Sequence, residues 1–224
     1  DVIDSLHEIS ILPLLFRLHY MVCDSRGQVA IIEFIGRKAK VYVGDQIEVP
    51  VLTNNCYDNL LQYLRGCKGF GGERMVTDGP ESQERFVRAA TMIKNSCNSL
   101  HESVIEAKAF DILDHVKQND TQWSIVYNSR KRQIRFTTRL VPQVRLVSLW
   151  DIDFENSDFI HILTPQVSGD YEQIFKKYSV EENTRLLKAV FGQLIRKGEI
   201  SKESAATIVG RLVEFSLLGA KGDG

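Results

Sequence analysis

Short hydrophobic segments rich in strand-forming residues occur in two groups along the chain, and a region of helical periodicity separates the groups. Short turns rich in Gly, Asp and Lys join the segments, so each group is predicted to form antiparallel strands. Pro50 indicates an edge position or a bulge in the fourth segment. The predicted strands cover residues 18–24, 28–36, 39–44, 48–55, 122–128, 133–139 and 143–150, with a hairpin turn at 129–132.

Hydrophobic residues at helical spacing predict helices in the middle of the chain and at its C-terminal end. Ser82 is a candidate N-cap for the second helix, and Gly66 and Gly198 are placed to end two others. The predicted helices cover 57–66, 82–95 and 100–118, with further hydrophobic faces over 186–195 and 205–215. The order of strands, helices, strands and helices predicts an α+β fold with segregated antiparallel sheets, not alternating βαβ units.

The composition is that of an ordinary globular protein. The chain has 224 residues, 43% hydrophobic and 25% charged, which is enough for one large core. We predict a single domain over 1–224 in which 199–224 is a helical tail. The formal net charge of -1 provides no basic field for nucleic acid, and no hydrophobic run approaches the roughly 18–20 residues that cross a bilayer. We therefore expect neither a nucleic-acid nor a membrane partner.

The first residues, DVIDSLHEIS, are acidic and amphipathic and contain no Met. They are unlike a signal peptide and are typical of the interior of a helix. We expect that the chain begins inside a longer protein. Location in the cytoplasm and location in the periplasm or outside the cell therefore both stay open.

The cysteines, which are Cys23, Cys56, Cys67 and Cys97, form no C-x-x-C pair and no Cys/His spacing suited to zinc. The glycine-rich segment 67–82 follows a predicted helix, whereas a phosphate-cradling loop requires a strand before it. The sequence therefore predicts no metal and no cofactor.

Two pairs of polar residues are candidates for chemistry. Asn54 and Asn55 end a predicted strand, where a side-chain amide could donate to an oxyanion, or could simply form an Asx turn before the next helix. Arg85 and Arg88 lie three apart on a predicted helix, so either could point into a site, or both could lie on a solvated face. The five histidines are scattered, and no G-x-S-x-G elbow occurs. These residues supply an oxyanion donor and an arginine but no nucleophile.

Five blocks along the chain resemble the choloylglycine hydrolase family, which includes bile salt hydrolases and penicillin V acylases. The resemblance runs from about residue 2 to about residue 183. In order, the blocks are LHYMVCDSRGQVAIIEFIGRKAKVYVG, VLTNN, RFVRAATM, WSIVYNSRKRQIRFTT and VRLVSLWDIDF.

The resemblance implies the four-layer αββα fold of the N-terminal-nucleophile hydrolases. It also implies hydrolysis of a linear carbon–nitrogen amide bond, of the conjugated bile salt, penicillin V or acylhomoserine lactone type. In this family an N-terminal Cys attacks the amide, and its own α-amino group serves as the base. By the match, the catalytic residues in this chain are Asn54 and Arg85, with Asn55 and Arg88 as alternates.

The N-terminal portion of the family, with its nucleophile Cys and neighbouring Arg and Asp, has no counterpart here. Cys23 and Cys56 are not expected to replace that thiol. The expected partners are a small-molecule amide and an N-terminal segment or second chain that carries the Cys. Sheet edges left exposed would favour a homo-oligomer. Two other hypotheses stay open, which are an inactive fragment and a binding or interaction module on a decayed hydrolase fold.

Overall fold

The structure is a computed structural model that describes residues 3–7, 18–35, 38–96, 102–152, 161–163, 175–177 and 179–219. The chain divides into two compact units, Asp1–Val144 and Arg145–Gly224. Cys97 and the predicted helix start at residue 100 lie outside the described residues. A short 3-10 helix spans Asp4–His7 in the first unit, where the sequence is typical of the interior of a helix.

The first unit contains a meander of three antiparallel strands, as predicted. The strands are β1 (His19–Cys23), β2 (Val29–Ile35) and β3 (Lys38–Val43), with β2 in the centre. Asp24 closes the first turn, because its Oδ1 accepts from the backbone N–H groups of Arg26 and Gln28. The register sets Met21 opposite Ile31 and Ile31 opposite Tyr42.

The fourth predicted strand, 48–55, is wrong. No described residue from Glu48 to Asn55 belongs to a strand. A side chain takes the place of a neighbouring strand there, because the Tyr57 hydroxyl donates to Val49 O at 2.9 Å and accepts from Val49 N at 3.3 Å. Pro50 next to it has no N–H to give to a ladder. The segment is therefore held by specific contacts and remains irregular.

Three helices follow the meander. They are α1 (Tyr57–Arg65), α2 (Ser82–Ser96) and α3 (Glu102–Val116). The hydrophobic core forms where these helices meet the sheet. Its buried residues are Ile31, Tyr42, Val51, Tyr57, Leu60, Leu61, Leu64, Cys67, Phe86, Val87, Ala89 and Ala90, and Ile112 and Val116 of α3 pack against them.

A hairpin completes the first unit. Strands β4 (Trp123–Asn128) and β5 (Gln133–Thr138) pair antiparallel around the predicted turn at 129–132. Arg132 in that turn has φ 52°. On α3, Glu106 joins the hairpin by accepting from Asn128 Nδ2 at 3.0 Å and by pairing with Arg135 at 2.6 Å.

The described residues of the second unit include three short strands and two helices. They are β6 (Arg145–Ser148), β7 (His161–Leu163), β8 (Phe175–Lys177), α4 (Val180–Arg196) and α5 (Lys202–Gly219). The antiparallel pair β7–β8 was not predicted, because a three-residue strand shows too little alternation to detect. The predicted face of α4 is only partly buried. Phe191 is enclosed, but Leu186 and Val190 are 42% and 54% exposed.

Helices and antiparallel sheets are segregated along the chain, which confirms the predicted α+β class. In the region after residue 198, where the sequence predicts a helical tail, α5 covers Lys202–Gly219. Within the described residues, no helix combines the length and hydrophobicity that crossing a bilayer requires.

Candidate active site

The candidate site is built on the segment that connects the sheet to α1. Thr53, Asn54 and Asn55 precede this helix, and Asn54 is exposed. The segment is tied down at its far end because Glu33 of β2 accepts from the backbone N–H of Tyr57, the first residue of α1, at 2.9 Å. The carboxylate thus takes one of the orphan donors of the helix N-terminus. The position of α1 is therefore coupled to the central strand.

Asn54 and Arg85 lie in direct contact. Arg85 Nη2 donates to Asn54 Oδ1 at 3.1 Å. A guanidinium has only donors, so the atom of Asn54 that faces it is the carbonyl oxygen. This contact decides the orientation of the amide, and the Nδ2 group of Asn54 points away from the arginine with both hydrogens.

Arg85 is itself held by a second hydrogen bond, from its Nε to Pro80 O at 3.1 Å. Burial lowers the pKa of Arg85 from its usual range, and the neighbouring charge of Arg88 lowers it further. The carboxylates of Asp120 and Glu81 act in the opposite direction. An arginine remains protonated under these conditions. Arg85 is therefore a fixed positive charge beside the Asn54 amide.

Arg88, the alternate arginine, has a different surrounding. It is only 9% exposed, and its donors reach backbone carbonyls. Nε donates to His115 O at 2.8 Å, and Nη1 donates to Thr77 O at 2.9 Å and Gly79 O at 3.2 Å. Arg88 thus ties the end of α3 to the loop before α2. Its guanidinium is occupied in holding the fold together.

Asn55, the alternate amide, contacts α2 through its backbone. Its N–H donates to Ser82 Oγ at 3.1 Å. Ser82 therefore departs from its predicted use as an N-cap, because it is the first residue of α2 and its hydroxyl reaches across to 53–55.

A buried polar network lies behind the site and is centred on Glu33, which is 1% exposed. Its Oε1 contacts His19 Nδ1 at 2.6 Å, and its Oε2 accepts from the Tyr42 hydroxyl at 3.1 Å. The Tyr42 hydroxyl also lies 3.0 Å from Asp58 Oδ1. Burial is the main cause that raises the pKa of Tyr42 to about 12, so this hydroxyl keeps its hydrogen throughout the neutral range.

Sequence reasoning did not identify Glu33 or Ser82 as supports of this region. The sequence does contain a signal for a structural role of Glu33, because it is the single charged residue inside the hydrophobic run VAIIEFI. A charge in such a strand is rarely buried without partners. Ser82 had no signal beyond its place at the start of a helix, because its partners lie 27 and 29 positions earlier in the chain.

The described cysteines differ in solvent exposure and in their positions in the fold. Cys23 is exposed in β1, Cys56 precedes α1, and Cys67 is 1% exposed and belongs to the core. The Cys67 thiol donates to Tyr63 O at 3.4 Å, a contact with the last turn of α1. Over the described ranges, no three His, Cys, Asp or Glu side chains come together in a group that could hold a metal ion.

The glycine-rich loop after α1 is folded on itself. Arg74 N donates to Gly66 O at 3.0 Å, and Lys68 N donates to Arg74 O at 2.7 Å. Gly72 approaches Gly66 so closely that a Cβ would lie 2.2 Å from its carbonyl oxygen. Several backbone N–H groups of this loop are thus engaged within it.

Comparison with known proteins gives one sequence relative and a set of similar structures. The chain is 28% identical over 162 residues to a penicillin V acylase from Pectobacterium atrosepticum, covering 61% of this chain and 43% of the relative. The structure matches the penicillin V acylase from Agrobacterium tumefaciens with a TM-score of 0.57 and 23% identity, covering 72% of this chain and 56% of that one. No protein-family model matches the chain.

A mutant conjugated bile acid hydrolase from Clostridium perfringens matches with a TM-score of 0.49 and 18% identity, covering 72% of this chain and 54% of that one. The chain thus spans about half the length of the proteins that it matches. The structural likeness to the Agrobacterium tumefaciens protein supports the N-terminal-nucleophile hydrolase fold that the resemblance predicts. By sequence and by fold the chain is similar to penicillin V acylases, which agrees with its resemblance to the choloylglycine hydrolase family.

Proposed function

We propose that this chain forms part of an amide hydrolase and that Asn54 and Arg85 belong to its active site. The observation that carries the proposal is the 3.1 Å hydrogen bond between Arg85 Nη2 and Asn54 Oδ1. The resemblance selects these two residues from separate blocks, and the fold brings them into contact across 31 positions of sequence. Arg88, the alternate, is engaged by backbone carbonyls instead.

Asn54 serves as the oxyanion donor in this proposal. The carbonyl oxygen of an amide gains negative charge when a nucleophile attacks its carbon, and a positioned N–H lowers the energy of that state. Because Oδ1 of Asn54 is taken by Arg85, its Nδ2 hydrogens are the end presented to substrate. A cation at Oδ1 also withdraws electron density from the amide, which makes those hydrogens better donors. One such donor contributes about 2.7–4 kcal/mol in the transition state.

The nucleophile is proposed to lie outside residues 1–224. This chemistry needs a thiol and a free α-amino group in one residue, and Cys23, Cys56, Cys67 and Cys97 are all internal. The thiol sulfur bonds to the amide carbon while its proton passes to the α-amino group. The carbon–nitrogen bond then breaks as that proton reaches the leaving amine. Water attacks the thioester, releases the acid and restores the thiol.

Penicillin V is the first substrate to test, because both penicillin V acylases named above share the fold or sequence of this chain. Amides of conjugated bile salts and of acylhomoserine lactones are the comparison substrates. The complete protein, with its N-terminal Cys exposed, is expected to release 6-aminopenicillanic acid from penicillin V with a burst of product that reports the acyl-enzyme.

The variant that tests the site is Asn54→Ala, with Asn55→Ala as the matched control. Asn54→Ala is expected to lower kcat by about 10²–10³-fold because the oxyanion donor is removed. Asn55→Ala leaves the backbone N–H of residue 55 in place, so its kcat should change little. Equal losses in both variants would contradict the assignment. Failure of the complete protein to hydrolyse any of the three substrates would instead favour a non-catalytic binding module.

A further inference from the structure

We infer that Ser82 is a positioning residue that sets Asn54 in place by binding both of its neighbours. This inference rests on the proposed function for the role of Asn54. Ser82 and Arg85 are three apart at the start of α2, so they lie on the same face of the helix. One helical turn therefore binds three consecutive residues of the connecting segment. Ser82 binds residues 53 and 55, and Arg85 binds residue 54.

The distances around Ser82 are enough to assign the donor and the acceptor in each of its three hydrogen bonds with Thr53 and Asn55. Thr53 Oγ1 lies 3.1 Å from Ser82 O and 2.9 Å from Ser82 Oγ, and Asn55 N lies 3.1 Å from Ser82 Oγ. Each hydroxyl has one hydrogen. Ser82 O can only accept, so the Thr53 hydroxyl donates to it. The Ser82 hydroxyl then donates to Thr53 Oγ1 and accepts from the Asn55 N–H.

These hydrogen bonds act on Asn54 through the backbone. Thr53 is held by its side chain and Asn55 by its amide, so the Cα of Asn54 is bracketed between two fixed points. Arg85 then selects the orientation of the Asn54 amide. An exposed loop residue would otherwise sample several rotamers and backbone states, and a donor displaced by about 1 Å loses much of its effect on rate. We call the contacts of Ser82 with Thr53 and Asn55 the clamp. The clamp holds the irregular segment 53–55 rigid, although no regular secondary structure supports it.

The hydroxyl of Ser82 contacts residues 53 and 55 instead of its own helix. The start of α2 has a separate support, because Glu84 Oε2 accepts from Glu81 N at 3.3 Å and Glu84 Oε1 accepts from Thr77 Oγ1 at 2.5 Å. Loss of the Ser82 hydroxyl should therefore loosen the 53–55 segment and leave the start of α2 intact.

The test uses the complete, active protein with Ser82→Ala, Ser82→Thr and the control Ser96→Ala. Ser96 lies at the other end of α2, where its hydroxyl donates to Met92 O at 2.6 Å. The first readout is hydrogen exchange of the Asn55 amide, which should accelerate in Ser82→Ala because that N–H loses its acceptor. Ser96→Ala should leave this exchange rate unchanged, and Ser82→Thr, which retains a hydroxyl, should restore protection.

The second readout is catalysis of penicillin V hydrolysis. Ser82→Ala is expected to lower kcat by about 10–100-fold with KM nearly unchanged, and Ser82→Thr to recover most of that loss. If Ser82 acts through Asn54, adding Ser82→Ala to Asn54→Ala should cost almost nothing more. A full additional loss in the double variant would overturn the inference, because Ser82 would then act by another route.

The two readouts separate this inference from the proposed function. Unchanged Asn55 exchange in Ser82→Ala would overturn the clamp whatever the activity. If the protein does not hydrolyse amides, the proposed function fails, and accelerated exchange in Ser82→Ala alone still supports the clamp.

Discussion

Replacing Glu33 with Ala should destabilise the first unit far more than an ordinary surface change. Glu33 is 1% exposed and sits on the central strand, where its carboxylate meets three groups. Oε1 contacts His19 Nδ1 at 2.6 Å and accepts from Tyr57 N at 2.9 Å, and Oε2 accepts from the Tyr42 hydroxyl at 3.1 Å. The substitution removes all three contacts and leaves a void between the sheet and α1.

The decrease in the free energy of unfolding depends on which former partners of Glu33 still have a hydrogen-bond partner in the variant. The Tyr57 N–H is buried at the start of α1 and loses its acceptor, which costs about 1–3 kcal/mol. The Tyr42 hydroxyl can still donate to Asp58 Oδ1 at 3.0 Å, so losing its contact with Glu33 costs little stability. Breaking the buried contact with His19 brings the total to about 3–5 kcal/mol. That is a large fraction of the 5–15 kcal/mol that is typical of a folded domain.

Glu33→Gln should cost much less, about 1 kcal/mol. The carbonyl oxygen of Gln can occupy the place of Oε1 and accept from Tyr57 N. Its amide N–H2 then faces the Tyr42 oxygen and donates to it, while the Tyr42 hydroxyl donates to Asp58. The three-group chain thus remains satisfied without a buried charge.

Urea unfolding of the complete protein, followed by tryptophan fluorescence and circular dichroism, measures these differences as changes in midpoint at constant slope. Glu73→Ala is the matched control, because Glu73 is exposed and its replacement should change stability by no more than about 0.5 kcal/mol. A Glu33→Ala variant as stable as Glu73→Ala would refute this account. A Glu33→Gln variant as unstable as Glu33→Ala would show that the negative charge itself is required.

Two further predictions concern the supports around the site. Arg88→Met should destabilise the protein by about 2–4 kcal/mol in the same urea assay, because three backbone carbonyls lose a charged donor, and Arg88→Lys should recover only part of that stability. The pKa of Asp58 is lowered, chiefly by its hydrogen bond from Lys40, so its contribution is present above the unfolded-state pKa and disappears as the pH falls through the folded-state pKa. Asp58→Asn should therefore flatten the acid limb of a plot of Tm against pH, and an unchanged limb would contradict the linkage.

The local elements of this protein follow from its sequence. Short runs of strand-forming residues along 18–44 and the turn residues between them predicted β1, β2 and β3, and helical periodicity predicted the helix that carries Arg85 and Arg88. These signals are local, since both strand alternation and helical spacing are visible within a window of ten residues. The order of the elements was then sufficient for the α+β class.

One prediction failed where a side chain took the place of a neighbouring strand. Residues 48–55 have the composition of a strand, but the Tyr57 hydroxyl takes both polar groups of Val49, so no ladder forms there. The β7–β8 pair escaped prediction for the opposite reason, because its pairing is real but each strand is only three residues long.

In the candidate site, too, the sequence selected candidate residues and the tertiary structure decided between them. Residue type and resemblance selected Asn54 and Arg85, with Asn55 and Arg88 as alternates, but nothing in the one-dimensional pattern distinguishes two arginines on one helix. The tertiary structure separates them, because Arg85 reaches Asn54 across the connecting segment while Arg88 is enclosed by carbonyls from two other elements. Hydrogen bonds between residues about 30 positions apart depend on how α2 packs beside the segment before α1, and only the folded chain decides that packing.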